Sequence, residues 1–477
     1  MNREAPSITY HRVTLGELTR TGDALADIPE HLEDGTFATR RLPVPAGLPG
    51  EEVTIAIESI AATPPKRHRR RWKPRPPRVW ITEIHRPSPL RVQAPCPVFG
   101  ECGGCQLQHL DYPAQLAWKR ALVGQLLQEI GHFDDLPLLD TVACDDPWHY
   151  RNHMRFSVNR SGQPGLTARG THRVLPLASC PIAHEYINRA LRVLSTVPNA
   201  RPQILIRCGA ATGQLLVQPQ PEPAIAHRLR DTELELRAET MEEQLVGATF
   251  RIRPSSFFQT NTAQAEKMMQ MVIHGLLSDR TADAQQLTFV DAYCGVGTFS
   301  LLLARHVGKV IAIEESASAI KDAQWNLREA NNVEVLKGKV EAVLPTLTTR
   351  IDGLVIDPPR AGCQQVVLDT LRQHPVPRLV YVSCDPSTLA RDLDILCHTG
   401  EPFDSQPANG QRPESVCSTP TDSVLPAARL TARKTCGQPD CKEPIHPTYR
   451  LRSVQPLDMF PQTAHIECVA VLEQNNL

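Results

Sequence analysis

Five short apolar runs beyond residue 250 constrain this chain more than any other feature. LTFVDAY, KVIAIE, VEVLKG, DGLVIDPP and RLVYVSCD are strand-length and rich in aliphatic residues. Helical stretches such as TFSLLLARH and SAIKDAQWNLREAN separate the earlier ones. Strands alternating with helices predict a parallel α/β sheet, because a crossover is needed to bring the chain back to a parallel neighbour. RLRSVQPLDMF and HIECVAVLE then follow with no helix between them, which predicts a closing antiparallel pair. A ligand on such a sheet sits outside the carboxyl ends of the parallel strands.

That edge carries unusual residues. VDAYCGVGTFSLLLA reads as strand, glycine loop and helix. Gly295 and Gly297 let a ligand approach the backbone, and the helix start offers free N–H groups. Glu314 ends the next strand about 20 residues beyond Gly295, where an acid binds ribose hydroxyls. Ser300 occupies the place of the third glycine of a dinucleotide fingerprint, so S-adenosylmethionine fits better than NAD. Asp291 lies at the strand end, in reach of an amino-acid ammonium group. Asp357 ends the fourth run in DGLVIDPPRAG; the two prolines stiffen the turn as a strand exit or as a pocket wall. Arg360 stands where an amino-group methyltransferase would carry a stacking aromatic residue.

The fifth run ends on Cys384 and turns at once into Asp-Pro-Ser. Cysteine is often only a small buried residue, but at this edge, beside a cofactor, it reads as a nucleophile. An antiparallel last strand starts at the same edge, and Glu467 enters its apolar run IECVAVL close to His465. Glutamate is seldom buried without a partner or a task, so Glu467 reads as an acid/base group, with a structural ion pair as the alternative. A thiolate, a methyl donor and a carboxylate suit methylation of a pyrimidine at C5: Cys384 attacks C6, and Glu467 removes the C5 proton.

The chain has 477 residues, which predicts two or three domains. Residues 8–92 read as short strands with turns, an antiparallel barrel of the OB type. Lys66 to Arg78, KRHRRRWKPRPPR, carries eight Lys or Arg and no acid around Trp72; it suits phosphate backbones, or is a solvated loop. From Pro95 three cysteines cluster, then helix and strand-like pieces follow, a mixed region to about residue 250. Cys96, Cys102, Cys105 and the distant Cys180 make an uneven three-plus-one pattern, closer to a 4Fe-4S cluster than to the paired C-x2-C of a zinc ribbon. Asp404 to Thr448 is rich in Pro, Ser and Thr and reads as a mobile insertion; its Cys436 and Cys441 are a weak metal signal. With no signal peptide and no membrane-length apolar run, a cytoplasmic chain is expected, and a monomer.

SFFQTN (256–261), DAYCGVGTFSL, IDPPRAG, YVSCDPSTLARDL and DMFPQTAHIEC, with PCPVFGECGGCQLQHL and Cys180, are together specific. On them the chain resembles the bacterial RNA uracil-C5 methyltransferases of ribosomal and transfer RNA. The resemblance covers nearly the whole chain. It implies a class I S-adenosylmethionine-dependent, Rossmann-like domain (251–477), a mixed α+β iron–sulfur domain (93–250) and an N-terminal TRAM domain (1–92). It implies Cys384 as nucleophile, Glu467 as base, and Gln259, Tyr293, Glu314 and Asp357 lining the cofactor and target site with Gly295. Thr298 stands where some members carry Asn, and Lys339 where some place a polar cofactor contact. The cysteine quartet is implied to hold a 4Fe-4S cluster. The expected product is 5-methyluridine, in 23S ribosomal RNA before transfer RNA. The rivals are a cytosine-C5 methyltransferase, an amino-group methyltransferase, and a catalytically silent RNA-binding iron–sulfur protein.

Overall fold

The computed structural model describes residues 7–31, 36–59, 77–279, 283–398 and 448–475. Most of the basic run 66–78, nearly all of the insertion 404–448, and Cys436 and Cys441 lie outside the described residues.

The C-terminal sheet positions everything that follows. Its strands are β14 (Thr288–Ala292), β15 (Lys309–Glu314), β16 (Val333–Lys337), β17 (Gly353–Ile356), β18 (Arg378–Ser383), β19 (Tyr449–Leu457) and β20 (Glu467–Gln474). Their order is β16-β15-β14-β17-β18-β20-β19. The first five are parallel, and β20 runs antiparallel between β18 and β19. The alternating pattern and the closing antiparallel pair are both present as expected. β14, β17 and β18 are buried on both faces, which is why they read as nearly unbroken apolar runs. The helices are α4 (Thr262–Leu277), α5 (Thr298–Leu303), α6 (Ala317–Asn326), α7 (Val340–Val343), α8 (Gln365–Gln373) and α9 (Pro386–Cys397). One core unites the sheet with α8 and α9, and a second lies on the other face against α4 and α5.

The N-terminal region holds β1 (Ser7–Thr14), β2 (Ala24–His31), β3 (Phe37–Val44), β4 (Glu52–Ser59) and β5 (Arg78–Arg86). They form an antiparallel sheet β1-β4-β5 and a hairpin β2-β3 around one apolar cluster that includes Val44, Val53 and Ile55. The middle region is a six-stranded sheet of order β11-β10-β9-β6-β7-β8. Its strands are β6 (His153–Val158), β7 (Pro164–Thr167), β8 (Val174–Pro176), β9 (Gln203–Cys208), β10 (Gln214–Gln218) and β11 (Glu235–Arg237). Its cluster also takes in residues of α2 (Glu185–Ser195) and α3 (Pro223–Arg230).

Packing crosses the sequence divisions. α1 (Tyr112–Glu129) follows the cysteine loop in sequence, yet its Leu122, Val123, Leu126 and Leu127 join the core of the C-terminal sheet. The hairpin of β12 (Met241–Leu245) and β13 (Ala248–Ile252) likewise contributes Phe250 and Ile252 to the core around α4. α1 lies within 93–250, the stretch expected to form a middle domain of its own, and the hairpin straddles its end. Periodicity shows that an element has an apolar face; it does not say which sheet that face meets.

Candidate active site

β18 and β20 pair with Ser383 opposite Cys468, so Cys384 and Glu467 lie next to each other at one sheet edge. Cys384 follows directly on β18, and Asp385 caps α9 by accepting from the Ser387 N–H at 3.0 Å. The thiol is therefore held between a strand end and a helix start. Glu467 opens β20 and is only 4% exposed.

Electrostatics follow from this crowding. Burial and the Glu467 carboxylate push the Cys384 thiol up to about 11, while the nearby Arg360 opposes the shift. Burial and the neighbouring Asp357 raise Glu467 well above the usual carboxylate range, again against Arg360. Asp357 is itself raised to about 7, by burial and by Asp291. One guanidinium thus acts on both side chains. Sequence reading noted Arg360 only as a missing aromatic; that its side chain turns to Cys384 is decided across two loops.

The neighbouring loop is built for a ligand with a positive end. Gly297 has φ 84° and opens α5; an added Cβ would lie 3.0 Å from Leu327. Gly295 has φ 57°, and its N–H donates to Glu314 at 2.9 Å. Glu314 also accepts from the Ser316 N–H at 2.7 Å. Tyr293 adopts φ 66°, a strained value for an aromatic residue at the turn out of β14. Asp291 is buried; its Oδ2 accepts from Ser300 Oγ at 2.5 Å, and its Oδ1 has no partner. Burial raises it to about 7. An orphaned carboxylate oxygen suits an ammonium group, so the donor set fits the amino-acid end of S-adenosylmethionine. Ser300, which sequence reading took only as an absent glycine, is the residue that orients this acid.

The other expected residues fall as follows. Thr298 is the first residue of α5 and is half-buried. Gln259 is half-buried, and its carbonyl accepts from Asn152 Nδ2 at 3.1 Å. Lys339 is exposed beyond β16, at the N-terminus of α7. His465 meets Phe460 edge-on, with ring centroids 5.9 Å apart. Phe257 stands two residues before Gln259 with 67% of its surface exposed, a feature sequence reading missed.

The four cysteines converge. Cys105 is pushed up to about 12 by burial, with Cys180, Cys102 and Cys96 all adding to the shift. Cys180 rises to about 11 through burial, with Cys96 and Cys102 contributing. N–H donors already face the sulfurs: Gly104 N lies 3.4 Å from Cys102 Sγ, and the Ile182 and Ala183 amides face Cys180. Gln108 accepts from Cys96 N–H at 3.3 Å and reaches Cys105. Among the described residues, no three His, Cys, Asp or Glu side chains gather tightly enough to hold one metal ion.

The tRNA (Uracil-5-)-methyltransferase family model matches residues 216–343 and 346–402. An uncharacterized RNA methyltransferase of Thermosynechococcus vestitus is 32% identical over 440 residues, covering 82% of this chain and 86% of its own. One of Gloeobacter violaceus is 33% identical over 448 residues, covering 83% and 86%. Among solved structures, the Pyrococcus abyssi tRNA (uracil-54, C5)-methyltransferase in complex with S-adenosyl-L-homocysteine aligns with a TM-score of 0.61 and 21% identity, over 97% of this chain and 99% of that one. That likeness is one of fold.

Proposed function

The chain belongs to the tRNA (uracil-5-)-methyltransferase family of RNA methyltransferases, and from that premise we propose that it forms 5-methyluridine in RNA with S-adenosylmethionine as methyl donor. The observation that carries the proposal is the placement of Cys384 beside Glu467, with Arg360 serving both and the Asp291–Gly297 loop on the same sheet edge.

S-adenosylmethionine supplies an electrophilic methyl group; the chain's residues do the rest. Asp291 would hold the ammonium through its free oxygen and Glu314 the ribose, while Gly295 and Gly297 would admit the ligand to the backbone, with Thr298, Tyr293 and Gln259 around it. Arg360 stabilises the Cys384 thiolate, which adds to C6 of uracil. The C5=C6 electron pair moves towards C5 and O4, and C5 would take the methyl group as its bond to the donor's sulfur breaks, leaving S-adenosylhomocysteine. Glu467, ionised for this step, removes the C5 proton. The double bond re-forms, and the thiolate leaves. Asp357, raised by burial and by Asp291, would line the target pocket. Phe257 offers an exposed ring for stacking a base splayed out of its helix.

Cys96, Cys102, Cys105 and Cys180 would ligate a 4Fe-4S cluster. A single zinc draws its sulfurs to about 2.3 Å from one centre, whereas a four-iron cluster takes one thiolate per corner. N–H groups facing the sulfurs suit such ligands. The N-terminal strands would act as an OB-type TRAM module for RNA. The substrate to test first is 23S ribosomal RNA, favoured by the cysteine quartet together with the N-terminal strands. Transfer RNA is second.

The deciding experiment is transfer of labelled methyl from S-adenosylmethionine to unmethylated ribosomal and transfer RNA, side by side. Wild type should label one of them as 5-methyluridine, and Cys384→Ala should label neither while still binding S-adenosylhomocysteine. Full activity in the Cys384→Ala protein would remove the covalent mechanism. Cofactor binding without labelling of either RNA by wild type would favour a silent RNA-binding protein.

A further inference from the structure

The segment entering β20 makes few backbone hydrogen bonds of its own. Lys119 Nζ pairs with Asp458 Oδ1 at 2.6 Å and donates to the Phe460 carbonyl at 3.2 Å, with both charged side chains wholly buried. Gln115 Nε2 donates to Gln462 Oε1 at 3.0 Å, and its Oε1 accepts from the Gln462 N–H at 3.3 Å. The N–H groups of Gln106 and Leu107, immediately after Cys105, both donate to the Gln462 carbonyl, at 3.1 and 3.0 Å. Gln462 itself sits at φ 69°, a strained value that outside contacts must maintain. Three residues separate it from Ile466, which is buried, and then comes Glu467.

Two features argue against mere stabilisation. A buried ion pair contributes little over an apolar pair of the same volume; it does impose a geometry. On α1 the buried stripe is apolar at Leu122, Val123, Leu126 and Leu127, and turns polar at Lys119 and Gln115, where it meets this turn. We propose that Gln115 and Lys119 are positioning residues for the base: they clamp the turn from Asp458 to Gln462 between α1 and the cysteine loop, and so set where Glu467 meets the proton it removes. This rests on the reading of Glu467 as the base. In consequence, the loop that carries three of the cysteines is wired directly to the step that releases product.

Proton removal follows thiol addition and methyl transfer. A displaced base therefore leaves methylated uracil attached to Cys384, an effect that a general loss of fold does not produce. The test compares wild type, Gln115→Met and Gln462→Asn on transcribed 23S ribosomal RNA and transfer RNA, using label in the methyl group. Asparagine tolerates positive φ and shortens only the side chain, so the second variant keeps the test valid if the first folds poorly. Both should show turnover lowered by about 10- to 100-fold, the scale expected for a reacting group misplaced by about 1 Å. KM for RNA should change far less, and a labelled RNA–protein adduct should survive denaturing gels. A fall in turnover that tracks the folded fraction, with no adduct, would overturn the inference; so would unchanged turnover. RNA containing 5-fluorouridine separates this failure from failure of its premise. Wild type should be trapped on it, because the C5 substituent cannot leave as a proton. Trapping of wild type with no adduct in either variant on ordinary RNA refutes only the positioning role. No trapping of wild type refutes the covalent reading and this inference with it.

Discussion

At the scale of single residues, the site sets Arg360 against several acids. Cys384, with a pKa of about 11, is almost wholly thiol at neutral pH in the free protein. A raised thiol pKa means that the reactive anion appears only as pH climbs. Alkylation of Cys384 by iodoacetamide, followed on its own peptide by mass spectrometry, should therefore speed up about tenfold per pH unit between pH 7 and 10. Arg360→Met removes a group that lowers this pKa. The variant should alkylate more slowly at every pH in that range, with its profile displaced to higher pH. Equal profiles would remove Arg360 from thiolate stabilisation. Cys384 and Glu467 were visible in the sequence because each breaks a local rule, a thiol at a strand end and a charge entering an apolar run. Arg360 breaks none, and its role exists only where two loops meet. Ser300 was equally silent, because a hydroxyl opposite a carboxylate leaves no periodic trace.

At the scale of elements, the glycine loop joining β14 to α5 has little freedom to change. Gly297 occupies the left-handed region, and a methyl group there would press on Leu327 at 3.0 Å. Left-handed backbone costs an L-residue about 1–2 kcal/mol, and 1.4 kcal/mol is a factor of ten in affinity. Gly297→Ala should weaken S-adenosylhomocysteine binding about tenfold by titration calorimetry, with the C-terminal core otherwise intact. Unchanged affinity would mean that the loop does not form the cofactor site. The central strands of the parallel sheet were legible as nearly unbroken apolar runs, since burial on both faces removes any alternation. The partner of α1 was not. Its stripe of Leu122, Val123, Leu126 and Leu127 fits any apolar surface, and the C-terminal sheet rather than its sequence neighbours supplies that surface.

At the scale of the whole molecule, the cysteine loop is a junction. Gly103 N–H bonds the Thr167 carbonyl of β7, and Arg173 pairs with Glu101. Arg169, beyond β7, pairs with the buried Asp23 of the N-terminal region. Leu107 packs with Leu48, and its N–H reaches the turn before Glu467. All three regions thus meet on residues 101–107 and their immediate partners. Cys102→Ala should lose the brown visible absorbance of an iron–sulfur protein, lower the melting temperature and speed limited proteolysis near the N-terminal strands. A colourless wild type, purified without oxygen and holding zinc, would replace the iron–sulfur reading by a zinc one. Among the described residues no helix is long and apolar enough to cross a membrane.

The sequence by itself determined the α/β class, the closing antiparallel pair and the residues at the carboxyl edge. These follow from local rules: strand periodicity, glycine loops, and polar residues where apolar ones belong. Tertiary structure decided that Arg360 reaches Cys384, that α1 joins the distant sheet, and that Gln115 and Lys119 hold the turn before Glu467. The physical reason is one of range. Hydrogen bonds and ion pairs between residues more than 300 apart in the chain, as Lys119 and Asp458 are, leave no mark on the pattern around either residue, and only the folded chain brings them within reach.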